Sequence, residues 1–163
     1  MVWKGCKIIF LFIVATIFHW GGATLFSFFG LSVNLMLVFA VAFCANLKLE
    51  IGYPIAFVSG LFLDFFGTKL FGNNAFSFTA AACLMYSLRN RFDFESILPQ
   101  VVTVFGLTCL VGILNSLLLA WFTSSMMWPG VWSVLGGAAV GAVCAPLVFW
   151  LVNRVLSEDT KAA

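Results

Sequence analysis

From Ile8 to Val152 the chain is a succession of apolar runs separated by short polar breaks, more hydrocarbon than a soluble fold of this length can bury. The runs cover residues 8–28, 31–47, 51–70, 75–88, 97–122 and 131–152. Crossing a bilayer takes about 20 apolar residues. The pattern therefore predicts an all-α integral membrane protein, a compact bundle of six transmembrane helices forming one domain over residues 1–163. Of these residues 63% are hydrophobic and 9% charged, whereas soluble domains carry about 25% charged residues. The second and fourth runs are short, which predicts tilted, re-entrant or locally thinned segments there and leaves four or five crossings as alternative counts. A β-barrel is not expected, because barrel strands alternate polar and apolar residues and these runs are apolar throughout.

Basic residues orient the bundle. With six spans and a cytoplasmic N-terminus, Lys4, Lys7, Lys48, Arg89, Arg91, Arg154 and Lys161 fall inside, and of the 8 Lys and Arg only Lys69 falls outside. Both termini are then cytoplasmic. The first apolar run follows basic residues and reaches Gly21, Gly22 and Ala23, as a cleavable signal peptide would, but it is longer than such a segment and flows into a second span. It reads as an uncleaved helix. The net charge of +2 sits at the cytoplasmic edge and implies anionic lipid headgroups. No basic stripe with exposed aromatics is present, so nucleic acid is not an expected partner.

Chemistry has little to stand on. Cys6, Cys44, Cys83, Cys109 and Cys144 are scattered without the paired spacing of zinc or iron–sulfur sites and read as small apolar fillers. His19 is the only histidine, so it cannot complete a metal site with a second imidazole, and it reads as a packed, hydrogen-bonded side chain. Neither a Gly-x-Ser-x-Gly elbow nor a phosphate-cradling glycine loop occurs. The expectation is a protein without catalytic, metal or cofactor residues.

Asp64 is the acidic residue set deepest in an apolar run. A carboxylate in hydrocarbon costs several kcal/mol unless it faces protein, water or a partner, so it marks function or assembly. At 1.5 Å per residue it lies roughly 20 Å into the third span, with His19 roughly 17 Å into the first and Asn115 in the outer half of the fifth. The three are expected to meet at one level, with an imidazole or amide satisfying the carboxylate. A clasp or a partner contact is favoured over proton transport, because relays use chains of ionisable groups.

Gly60, Gly67 and Gly72 bracket Asp64, and Phe71-Gly72-Asn73-Asn74 reads as a turn that breaks the third span at the outer surface. Gly137, Gly141 and Ala145 form a stripe of small residues that lets another helix approach, more often within one bundle than between chains. Arg89, Arg91, Asp93 and Glu95 make a mixed-charge loop whose plain reading is a solvated helix exit.

Gly30-Leu-Ser-Val-Asn-Leu-Met-Leu, then Gly60-Leu-Phe-Leu-Asp-Phe-Phe-Gly, then Leu70-Phe-Gly-Asn-Asn-Ala-Phe, Tyr86 and Arg89-Asn-Arg91 together resemble the MreD family of bacterial rod-shape-determining proteins. The resemblance covers roughly residues 30 to 91. It implies an Asn or Asp opening the second span, here Asn34, and a Gly-Leu-x-x-Asp segment in the third, here Gly60 to Asp64. Two positions depart from the family pattern: Val33 stands where Pro is usual, and Gly67 falls one position early. The resemblance implies a non-enzymatic scaffold of the cell-elongation machinery in the bacterial inner membrane. Its partners would be MreC, MreB, the glycosyltransferase RodA and a penicillin-binding transpeptidase.

The same family is similar in fold to the substrate-binding subunits of energy-coupling-factor vitamin transporters, which supplies a rival reading as a small-molecule-binding subunit. For that role the predicted outer loops offer Ser27, Ser32, Lys69, Asn73, Asn74, Ser124 and Ser125, a thin polar supply. A third reading, a channel moving protons or lipid, rests on Asp64 alone.

Overall fold

The computed structural model describes residues 2–27, 33–67, 70–89, 91, 92, 94, 96–123 and 130–157. They form six helices: α1 (Val2–Ser27), α2 (Leu35–Asn46), α3 (Leu49–Gly67), α4 (Asn73–Arg89), α5 (Ile97–Thr123) and α6 (Val131–Ser157). Each apolar run of the sequence yields one helix. The ends differ where polar groups take over: α1 starts six residues earlier than its apolar run, α2 is trimmed to 12 residues, and α6 continues through Arg154. Ser32, Lys69, Asp93, Glu95, Ser124, Ser125 and Lys161 lie outside the described residues.

Four helices contain segments long and apolar enough to cross a membrane: Gly5–Gly22, Leu49–Gly67, Ile97–Phe122 and Val131–Leu156. α2 is too short for this, and α4, with 17 residues, spends several of them on Asn73, Asn74, Ser77, Thr79 and Ser87. For α2 its placement makes the shortness tolerable. α2 packs against all five other helices, and every side chain from Leu35 to Cys44 is buried. Around it α3 lies on α4, α4 on α5, α5 on α6 and α6 on α1. Aromatic pairs close the ring from α1 to α3, Phe12 edge-on to Phe62 at 5.6 Å and Trp20 edge-on to Phe66 at 5.4 Å. A helix enclosed in this way meets no lipid and need not match a bilayer in length.

The apolar residues divide between a core and an outer surface of similar chemistry. Phe43, Phe78, Phe149, Leu11 and Met85 are fully enclosed, whereas Ile13, Ile17, Phe57, Phe65, Val102, Leu117, Val143 and Leu147 point outward. In lipid such a core gains little from the hydrophobic effect, since hydrocarbon is as apolar as Leu, and cohesion comes from close packing and interhelical hydrogen bonds. Trp121 and Trp132 stand exposed at one end of the α5–α6 pair, and Trp150 lies at the other with the Arg154 guanidinium 5.4 Å from its ring centre. Such aromatic placement suits the two faces of a membrane.

Candidate functional site

One face of α3 carries Gly52, Ala56, Gly60 and Asp64, spaced by four and all buried. The small residues bring α4 into backbone contact. A methyl group on Gly60 would sit 2.5 Å from the Asn74 carbonyl oxygen and 2.6 Å from the Ala75 Cα, and one on Gly52 would collide with the Tyr86 hydroxyl. At the end of this face the Asp64 carboxylate meets the start of α4. Its Oδ1 accepts from the Asn74 backbone N–H at 3.0 Å and its Oδ2 from the Ala75 N–H at 3.1 Å. The first N–H groups of a helix have no partner inside it and carry partial positive charge. Asp64 is therefore a helix cap supplied by the neighbouring helix.

The turn that allows this is short. α3 stops at Gly67, Gly72 adopts φ +91°, and the Phe76 N–H donates to the Gly72 carbonyl at 2.9 Å. Only glycine takes that backbone conformation without strain. The expected turn at residues 71–74 is thus displaced: Asn73 and Asn74 are the first residues of α4 rather than part of the loop.

Side chains extend the junction to α5. The Asn115 Nδ2 donates to the Asn74 Oδ1 at 2.8 Å, and the Ser77 Oγ donates to the Asn115 Oδ1 at 2.5 Å. Asn115 therefore reaches the Asp64 cluster through Asn74. His19 does not share this arrangement: it lies on α1, which makes no backbone approach to α4, and its buried Nδ1 has no hydrogen-bond partner. The carboxylate that was expected to meet an imidazole or amide is engaged by two backbone N–H groups, which the turn delivers. Asn73 is also buried, with its Oδ1 unpartnered.

Both ends of α2 are held by groups of the same kind. Asn34 caps its start, the Oδ1 accepting from the Leu37 N–H at 3.3 Å; such caps contribute about 1 kcal/mol. At the other end Arg89 donates to the Leu47 carbonyl at 2.7 Å and the Tyr86 hydroxyl reaches the Lys48 carbonyl at 3.2 Å. Arg89 thereby satisfies a carbonyl that the end of α2 leaves open, while the Tyr86 hydroxyl joins the Ile51 and Gly52 N–H groups on the Lys48 carbonyl at the start of α3. The sequence carried a signal for both, since a polar residue of α4 must serve some neighbour, but did not say which.

The other candidates are plainer. Gly141 faces Val38 of α2, a methyl there falling 3.5 Å from the Val38 Cγ2, so the α6 stripe serves packing within the bundle. Gly137 is buried on α6, and Gly67 ends α3 with open space about it. Among the described residues no three His, Cys, Asp or Glu side chains gather as metal ligands would. Comparison of the chain with protein-family models, curated proteins and solved structures gives no match.

Proposed function

We propose that this chain is a non-enzymatic membrane scaffold of the MreD type, binding MreC and, through it or directly, RodA, a penicillin-binding transpeptidase and MreB to position peptidoglycan synthesis in elongating bacteria. One observation carries the reading. Asn34, Gly60, Asp64, Gly72, Tyr86 and Arg89, residues on which the resemblance rests, serve the junctions among α2, α3 and α4. A motif that holds three helices in register suits a protein whose product is a shape. The one carboxylate set deep in an apolar helix is engaged by two backbone N–H groups, which supports a clasp over a titrating carrier. Purification from native rod-shaped cells tests the proposal: MreC is expected to accompany the chain, and loss of the chain is expected to round the cells. Absence of MreC, or a tightly held vitamin-like molecule in the purified protein, would favour the transporter-subunit reading instead.

We further propose six crossings of the bacterial inner membrane with both termini cytoplasmic. α2 and α4 cross as shielded or short elements, and Lys48, Arg89, Arg91 and Arg154 gather at the cytoplasmic end. Fusions after Lys48 and after Lys161 together decide it, since four crossings would leave the C-terminus inside but place Lys48 outside. A fluorescent-protein fusion is expected to be bright and an alkaline-phosphatase fusion inactive; the reverse pattern would remove the six-crossing topology.

A further inference from the structure

α4 and α6, which make no contact with each other, offer the membrane unequal heights, while α3 carries an apolar stretch of 19 residues, about 28 Å. α5 and α6 each carry an apolar stretch of 26 residues, about 39 Å at 1.5 Å per residue. α4 has 17 residues in all, about 25 Å, of which the apolar part spans only about 21 Å. The hydrocarbon layer of a typical bilayer is about 30 Å.

Neither polar end of α4 is free to move outward and make up the difference. At one end Arg89 is tied to the Leu47 carbonyl at 2.7 Å, so its charge cannot stretch away from the helix end. Two residues earlier Ser87 is exposed, its hydroxyl donating to the Cys83 carbonyl. At the other end the Gly72 turn presents irregular backbone, which is not tolerated against hydrocarbon, and the Asp64 bonds to Asn74 and Ala75 fix that turn in place. Tilt offers no remedy, because tilting a short helix only shortens its projection along the membrane normal. The Phe65 and Phe71 rings, edge-on at 5.3 Å and both exposed, lie beside the turn where hydrocarbon would meet headgroups. The outward face of α4, with Phe76, Cys83 and Leu84 exposed, has no helix over it among the described residues.

We propose that the outward face of α4 is a surface for a locally thinned bilayer, occupied by membrane phospholipids whose chains are compressed by several Å relative to those against α6. The inference rests on the reading that the bundle crosses a membrane. It deepens the scaffold reading, because a fixed step in bilayer thickness is a feature that short-spanning partners would seek.

Site-directed quenching tests it. A bimane label on Cys83, the exposed thiol of α4, is introduced in a Cys6→Ser background. A second sample carries the label at Val143→Cys on α6, a position 77% exposed, with Cys83→Ser. Both are reconstituted into phosphatidylcholine with brominated chains of about 14 or about 22 carbons, and relative lipid affinities are read from quenching. At Cys83 the short-chain lipid is expected to be preferred by about threefold, with no such preference at position 143. A label at Leu84→Cys repeats the α4 measurement should modification of Cys83 disturb folding. Equal chain-length profiles at the two sites overturn the proposal, as does quenching at position 143 with none on α4, which would mean that protein covers α4. Quenching at neither site would instead remove the membrane-crossing reading itself.

Discussion

Asp64→Leu is expected to lower the stability of the purified chain by about 3 kcal/mol, because it strips the Asn74 and Ala75 N–H groups of their acceptors in a buried place and leaves both unpaired. Asp64→Asn is expected to cost about half as much. An amide supplies one accepting oxygen, but its NH2 then faces the second backbone N–H, donor against donor. From sequence alone, with a side-chain partner in mind, the Asn substitution reads as mild; the two-oxygen cap makes it intermediate. Unfolding by SDS titration in mixed micelles ranks the three proteins. Asn and Leu equal to wild type would mean that the cap contributes nothing, and Asn as damaging as Leu would mean that a single accepting oxygen cannot hold the junction.

Gly60→Ala is expected to be as damaging, about 3 kcal/mol, although it adds a single methyl. The obstacles are the Asn74 carbonyl oxygen at 2.5 Å and the Ala75 Cα at 2.6 Å, both backbone and unable to swing aside. Relief requires α3 and α4 to part, and Asp64 lies one turn further along the same face, so its two hydrogen bonds lengthen in the same movement. Gly52→Ala is the informative comparison. There the methyl meets the Tyr86 hydroxyl, the far end of a side chain that can turn away, and a cost of about 1 kcal/mol is expected. The same SDS titration measures both. A Gly60→Ala protein as stable as wild type, or one less perturbed than Gly52→Ala, would show that the two helices are not seated as closely as described.

The six helices were legible because length and hydropathy alone mark apolar segments, and polar breaks such as Lys48 and Asn73-Asn74 are hard to misread. Which helix sits in the centre was not, since a side chain facing lipid and one facing protein are equally apolar. Val38 inside α2 and Val143 outside α6 look alike in sequence. That Asp64 must meet polar groups was legible for the opposite reason: a carboxylate stands out against hydrocarbon. Its partner was hidden because backbone N–H groups have no letter in the sequence. The clue that was available is the spacing of Gly52, Ala56, Gly60 and Asp64, a face of small residues ending in a carboxylate nine residues before a helix start. His19 misled because an isolated polar residue invites pairing with the nearest other one, whereas its Nδ1 makes no hydrogen bond even though α1 meets α3 through the neighbouring Trp20 and Phe66.

The enclosure of α2 has a practical meaning for anyone who alters this chain. On the outer helices a substitution scan should show the 3.6-residue rhythm of tolerant and intolerant positions, because each has a side turned away from its neighbours. From Leu35 to Cys44 that rhythm vanishes, as no position is turned away from anything. Probes, cross-linkers and affinity handles belong on the five surrounding helices, and α2 is the segment that a redesign should inherit whole.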